Sequence, residues 1–269
     1  MTFECDEPPS ARVDKTVVVG GLDTRSLTPG AIDAYVRSRL TAGEDLYTLD
    51  AGALSALAPD VILTQDLCRV CALPAGNVDA ALDYLGCQAD VVSLDPRSLA
   101  DVLATIVAVG VHTGAELSAR RLVDGLRSRL SAVADRVTGL PRPRVAVVEW
   151  VDPPFGAGHW VPDLVTAAGG TPVAARAGAR SERLRWADFA AERPDVVLVA
   201  PCGFHLDDAA EHAGAVAAEL PGLPVWALDA DGLVVRPGPR LVCGVEAMAA
   251  ILHPEAVPAP PPGRVARVA

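Results

Sequence analysis

Lysine is almost missing from this chain. Of 23 basic residues only Lys15 is a lysine, against 34 acidic residues and a net charge of −11. A surface this acidic repels phosphate backbones and no basic run interrupts it, so no nucleic-acid partner is expected. Uninterrupted apolar runs of the roughly 18 residues that a membrane helix needs are also missing, so no membrane-spanning segment is expected. Met1 is not followed by a basic-then-apolar leader. The six cysteines sit in a chain of 269 residues, too long to depend on disulfide staples. Both features point to a cytoplasmic location. Neither a Gly-x-Ser-x-Gly turn, nor a Ser-His-Asp order, nor a carboxylate pair spaced as general acid and base is found, so nothing announces catalysis.

What is present is apolar and alternating. Hydrophobic residues make up 51% of the chain, enough to offset the entropy of ordering it. Short β-branched strands alternate with helical patterns, the signature of an α/β architecture with mainly parallel sheets. One unit occurs twice, about 135 residues apart. A helix ending at 54–57 passes through Pro59-Asp60 into a strand at 61–64 and a loop carrying Cys68 and Cys71. A helix at 186–192 passes through Pro194-Asp195 into a strand at 196–199 and a loop carrying Cys202 and His205. The repeat predicts two Rossmann-like lobes whose loops at the carboxyl ends of parallel strands line a ligand cleft between them.

Between the repeats, Asp95-Pro96 reads as an N-cap with proline in the first turn of a helix running to about Val109. Thr113-Gly114-Ala115-Glu116 has capping-box spacing. From there Leu122, Leu126, Leu130, Val133 and Val137 form one face of a long helix, a strut of roughly 35 Å. The expected layout is an N-terminal lobe at 1–112, an interlobe helix at 113–140, a C-terminal lobe at 141–256 and a flexible proline-rich tail at 257–269. Compared with residues 144–168, the first half is short of one strand-helix unit ahead of Val17.

Two kinds of side chain bear chemistry. The first is thiolate: Cys5, Cys68, Cys71 and Cys202, with His205 as a further donor, form a soft set suited to zinc or an iron–sulfur cluster if the loops converge. Buried packing of the Cys-x-x-Cys pair, dithiol exchange, and a solvated loop position for His205 are the competing readings. The second is aromatic. The chain has only four Trp, four Phe and three Tyr, yet Trp150, Phe155, Trp160 and Phe204 fall in loops that follow strands. Aromatic rings on loops are costly to expose unless they face a ligand or partner, or plug the end of a lobe. His159 stands among them, with ligand contact and a backbone hydrogen bond as its two readings.

Six loop segments then carry a resemblance: Glu4-Cys5-Asp6, residues 64–72, 149–155, 157–162, 200–204 and 236–241. Together, over residues 3–255, they resemble the cobalamin-binding-protein-like branch of the metal-chelate and cobalamin substrate-binding proteins of ABC transporters, a class III periplasmic-binding-protein fold. The resemblance implies a binding protein rather than an enzyme, holding a corrinoid or similar metal chelate between the lobes. Trp150, Phe155, Trp160 and Phe204 would supply apolar contact, His159 and Asp66 would fix orientation, and an ABC transporter permease would be the partner. It also implies a further strand and helix ahead of Met1. The alternative is a cytoplasmic enzyme, redox protein or metal carrier built on Cys5, Cys68, Cys71 and Cys202.

Overall fold

The computed structural model describes residue 1 and residues 13–24, 26–65 and 89–269. Cys5, Asp66, Cys68 and Cys71, which the sequence nominates as site residues, lie outside the described residues. The chain divides into two compact units, Met1–Asp95 and Pro96–Ala269, and both are α/β. Among the described residues no helix is long and apolar enough to cross a membrane.

In the first unit β1 (Val19–Gly21) pairs antiparallel with β2 (Tyr47–Leu49), and β3 (Val61–Thr64) pairs parallel with β4 (Asp90–Ser93). Helix α1 (Pro29–Thr41) starts where the Thr28 hydroxyl accepts the Ala31 N–H, with proline in the first turn, where no intrahelical donor is needed. Helix α2 (Ala51–Leu57) is capped by the Asp50 carboxylate, which accepts from Ala53 at 2.8 Å. It ends at Ala58, whose φ of 44° turns the chain into Pro59. Leu54 of α2 is buried against Val19, Tyr47, Leu49, Ile62, Ala89 and Val91. Burial of that one side chain contributes about 1.5–3 kcal/mol.

The second unit holds one six-stranded sheet, with five strands in the order β10-β9-β8-β5-β6 and β7 paired to β5 off that path. Its strands are β5 (Arg144–Val151), β6 (Pro154–Gly156), β7 (Thr171–Val173), β8 (Val196–Val199), β9 (Val225–Leu228) and β10 (Val265–Arg267). Strands β5, β8 and β9 run parallel, β7 pairs parallel with the first residues of β5, and β6 folds back antiparallel on its last. Residues 145–148 and 197–199 are almost wholly buried, as unbroken apolar runs must be when both sheet faces are covered. Pro194-Asp195 fixes where β8 begins: the Asp195 carboxylate accepts the Arg144 N–H at 2.7 Å, and the Asp195 N–H donates to the Arg144 carbonyl at 2.7 Å.

The helices of this unit are α3 (Leu99–His112), α4 (Glu116–Val137), α5 (Val161–Ala167), α6 (Trp186–Ala191), α7 (Leu206–Glu219), α8 (Ala230–Leu233) and α9 (Leu241–Leu252). One core joins the sheet to α6 and α7 through Phe189, Ala209, Ala213 and Val216; a second joins α3, α4 and α9 through Leu103, Val123, Leu126 and Val242.

Several expectations are corrected. Helix α3 begins at Ser98 and not at Asp95, because Ser98 and Asp101 form a reciprocal capping box: the Ser98 hydroxyl accepts from Asp101 N–H, and the Asp101 carboxylate accepts from Ser98 N–H. Thr113 does not open α4. It closes α3, its hydroxyl donating to the Val109 carbonyl at 2.7 Å. The buried face of α4 runs through Ala119, Val123, Leu126 and Val133, while Leu122 is 44% exposed. Both α3 and the long α4 belong to the second unit, where the sequence places them in an N-terminal lobe and an interlobe strut. The end of the chain is not a free tail either. Beyond the prolines, residues 265–267 have N–H groups to give, and they pair antiparallel with β9.

Candidate functional site

The carboxyl ends of β5, β8 and β9 lie on one edge of the second unit's sheet, and the loops that follow them carry its polar and aromatic chemistry. Strand β5 is irregular there. Its register against β6 shifts between Val148 and Trp150, and Glu149 sits in that irregularity; bulges of this kind re-aim a side chain out of strand alternation. The Glu149 carboxylate accepts the Gly158 N–H at 3.0 Å and the Ser181 hydroxyl. Burial pushes its pKa from 4.5 up to about 7, against the lowering effect of those two hydrogen bonds.

Gly158 is required where it stands. A Cβ there would meet the Ser181 nitrogen at 2.3 Å and other backbone atoms of residues 179 and 180 within 3 Å. The next residue, His159, has φ 47°, a conformation that side-chain-bearing residues seldom adopt. Its N–H donates to the Ala179 carbonyl at 2.6 Å, and its own carbonyl accepts from Gly178 at 2.9 Å. The imidazole is half-buried, and Nε2 has no hydrogen-bond partner among the described residues. Burial first, then the charges of Arg180 and Arg97, lower the pKa of this ring. That lowering favours the neutral imidazole, the form that ligates metals.

The aromatic residues separate into two groups. Trp150 at the end of β5 and Phe204 after β8 are both half-buried, with ring centroids 5.8 Å apart, and Phe204 meets His212 edge-on at 5.0 Å. Trp160 behaves differently. It is buried, and its indole N–H donates to the Val234 carbonyl at 2.8 Å, so the ring is taken up in packing. Phe155 is half-buried in β6, with its backbone paired to Trp150.

Cys202 is exposed on the turn after β8, and its N–H donates to the Glu149 carbonyl at 3.2 Å. The three other thiols of the expected metal set lie outside the described residues, and among the described residues no group of three His, Cys, Asp or Glu is placed to hold a metal ion.

His205 belongs to a polar cluster that the sequence reading did not assemble. Its Nδ1 lies 2.9 Å from the buried Asp229 carboxylate, whose other oxygen is paired with Arg264. Burial alone would raise the Asp229 pKa, but hydrogen bonds from His205, Arg264 and the Gly232 amide outweigh it and hold it below its ordinary value. Buried Asp231 pairs with Arg236 at 2.6 Å and accepts the Gly203 N–H at 3.1 Å. An open depression of about 310 Å³ is lined by His205, Leu206, Asp207, Asp229 and Gly263. The readable signal was Asp229-x-Asp231 directly after strand β9, with Arg236 five residues beyond Asp231. Glu149 gave no comparable sign, because Ser181 lies 32 residues away.

Comparison with known proteins places the chain in a family. The family profile described as "Periplasmic binding protein" matches residues 41–234. The chain belongs to the periplasmic binding protein family. No curated protein matches it. Among solved structures, a periplasmic heme binding protein from Pseudomonas aeruginosa is similar with a TM-score of 0.64 and 22% identity, over 82% of this chain and 81% of that one. A periplasmic vitamin B12 binding protein of Vibrio cholerae is similar with a TM-score of 0.55 and 21% identity, over 76% and 78%. An ABC transporter substrate-binding protein from Listeria monocytogenes EGD-e gives a TM-score of 0.60 and 17% identity, over 91% and 94%. At these identities the three share the fold of this periplasmic binding protein. Membership also corrects the expected cytoplasmic location, since the family and these relatives are periplasmic or transporter-associated binding proteins.

Proposed function

We propose that this chain is the substrate-binding protein of an ABC-type importer and that its cargo is a flat metal chelate of the tetrapyrrole class, with a corrinoid as the first candidate. The observation that carries this reading is the Trp150–Phe204 pair, two half-buried rings 5.8 Å apart, one at the end of β5 and the other in the loop after its neighbour β8. Such rings offer apolar area to a flat macrocycle at small entropic cost. The neutral His159 imidazole, on the loop tied to the same strand through Glu149, adds a donor suited to a chelated metal. The relatives' printed names agree in class, one being a heme binder and another a vitamin B12 binder. An ABC transporter permease is the partner this reading requires. Phe155 sits in the hairpin beside Trp150 and adds to the apolar surface, whereas Trp160 supports it from within.

Absorbance titration of the purified chain with aquocobalamin and with hemin tests the reading. Saturable binding of one of them, weakened about tenfold by Trp150→Ala or Phe204→Ala, supports it. Failure of both chelates to bind overturns it.

A further inference from the structure

His159 combines two unfavourable features: a left-handed backbone and a buried Nε2 with no hydrogen-bond partner among the described residues. Each has a cost that the surroundings must hold in place. The holding is done by backbone bonds from His159 to Ala179 and from Gly178 to His159, and by one side chain, Glu149. Glu149 reaches the loop because the irregularity in β5 turns it out of the strand's alternation. One carboxylate oxygen takes the Gly158 N–H and the other takes the Ser181 hydroxyl, so a single group joins the residue before His159 to the segment that receives His159's own N–H. The fit allows no slack, since Gly158 lacks room even for a Cβ against Ser181.

We propose that Glu149 is the positioning residue of the chelate site: by bridging Gly158 and Ser181 it fixes the loop so that His159 Nε2 is kept for the metal of the bound chelate. This inference rests on the binding function proposed above. Coordination uses the lone pair of the neutral imidazole and displaces a water or other axial ligand from the metal, with no change of oxidation state. Glu149 touches neither chelate nor metal; it acts through His159, as outer groups do when they orient a metal ligand.

The test uses hemin and aquocobalamin with the wild type, Glu149→Gln, Glu149→Ala, Ser181→Ala and His159→Ala. Glutamine keeps an acceptor for Gly158 and a donor for Ser181, so Glu149→Gln retains both affinity and the absorbance bands of an imidazole-ligated metal. Glu149→Ala and His159→Ala lose those bands and bind about tenfold or more weakly; Ser181→Ala, the milder change, moves in the same direction. Unaltered bands in Glu149→Ala, or equal loss in the Gln and Ala variants, overturn the proposal. Amide exchange in the chelate-free protein provides the second reading. Exchange at Gly158 and His159 rises about tenfold or more in Glu149→Ala, or in Ser181→Ala if the former does not fold, while amides of β8 stay protected. Equal exchange in all variants overturns the positioning role. If the wild type binds neither chelate, the binding function falls, and the exchange result still decides whether Glu149 holds the loop.

Discussion

Arg144 and Asp195 hold each other through two hydrogen bonds of 2.7 Å, one from the Arg144 N–H to the Asp195 carboxylate and one from the Asp195 N–H to the Arg144 carbonyl. The pair sets the register of β8 against β5 from their first residues, and with it the height at which the loops after both strands emerge. A one-residue slip would carry Val197 and Val199 away from Phe189, Ala209 and Val216 to the opposite face of the sheet. Asp195→Ala is expected to lower unfolding free energy by about 1–2 kcal/mol, read from urea denaturation, with Asp195→Asn falling between the two.

Glu149 makes stability depend on pH in an unusual direction. Its folded pKa of about 7 exceeds the ordinary 4.5. Below pH 4.5 folded and unfolded chains both hold the proton. Between 4.5 and 7 the unfolded chain gives it up first, so this group's share of stability is lost as pH rises, and the full penalty of about 3 kcal/mol is present above 7. Glu149→Gln has no such penalty. The stability of the wild type relative to Glu149→Gln is expected to fall steadily from pH 4.5 to 7 in denaturant melts at fixed ionic strength, and a flat difference would refute the assignment.

Asp229 works in the opposite sense. Its pKa lies below the ordinary 3.8 because His205, Arg264 and the Gly232 amide offset the cost of burial. The stability it contributes is fully present above pH 3.8 and is lost as pH falls through the depressed value. Asp229→Asn should cost about 2 kcal/mol at neutral pH, after allowance for the partly exposed His205 and Arg264. The gap to the wild type should close in acid, which melting curves between pH 2.5 and 7 would show.

Trp160 and Trp150 are expected to part company under substitution. Trp160→Phe removes the indole bond to the Val234 carbonyl and is expected to cost about 1 kcal/mol of stability without changing the chelate titration. Trp150→Ala, at a half-buried ring, is expected to spare stability by comparison and to weaken the titration. Equal effects of both on binding would mean that the buried ring, too, touches the cargo.

Much of the second unit's sheet is legible in the sequence. The unbroken, valine-rich apolar runs of β5 and β8 mark buried parallel strands, and Pro194-Asp195 marks the start of one. Helix α4 also follows from its apolar spacing, although its true face is turned by one residue, from Leu122 to Val123. Caps were harder to read, because Asp95, Ser98 and Thr113 all have capping chemistry and only the competition between whole turns picks Ser98 for the start of α3 and Thr113 for its end. The tail's composition hides β10, since pairing with β9 depends on a neighbour almost forty residues earlier. The polar heart of the site is the least visible part. Glu149–Ser181, His205–Asp229 and Asp229–Arg264 each join residues 24 to 35 positions apart, and no local pattern encodes a meeting of that kind. The aromatic residues showed the converse problem: loop position drew attention to Trp160 and Trp150 alike, and only burial separates them.

Strand β10 also gives the protein a mechanical polarity. Just beyond it, Val268 and Ala269 bond to Val225 at the start of β9, and its first residue, Val265, pairs with Leu228 at the end of β9, next to Asp229. Tension applied at the carboxyl terminus would load these hydrogen bonds one after another, as in a zipper, and reach the Arg264–Asp229 pair only after the strand had peeled. The sheet is therefore expected to open from Ala269 inward, before the buried strands beside β9.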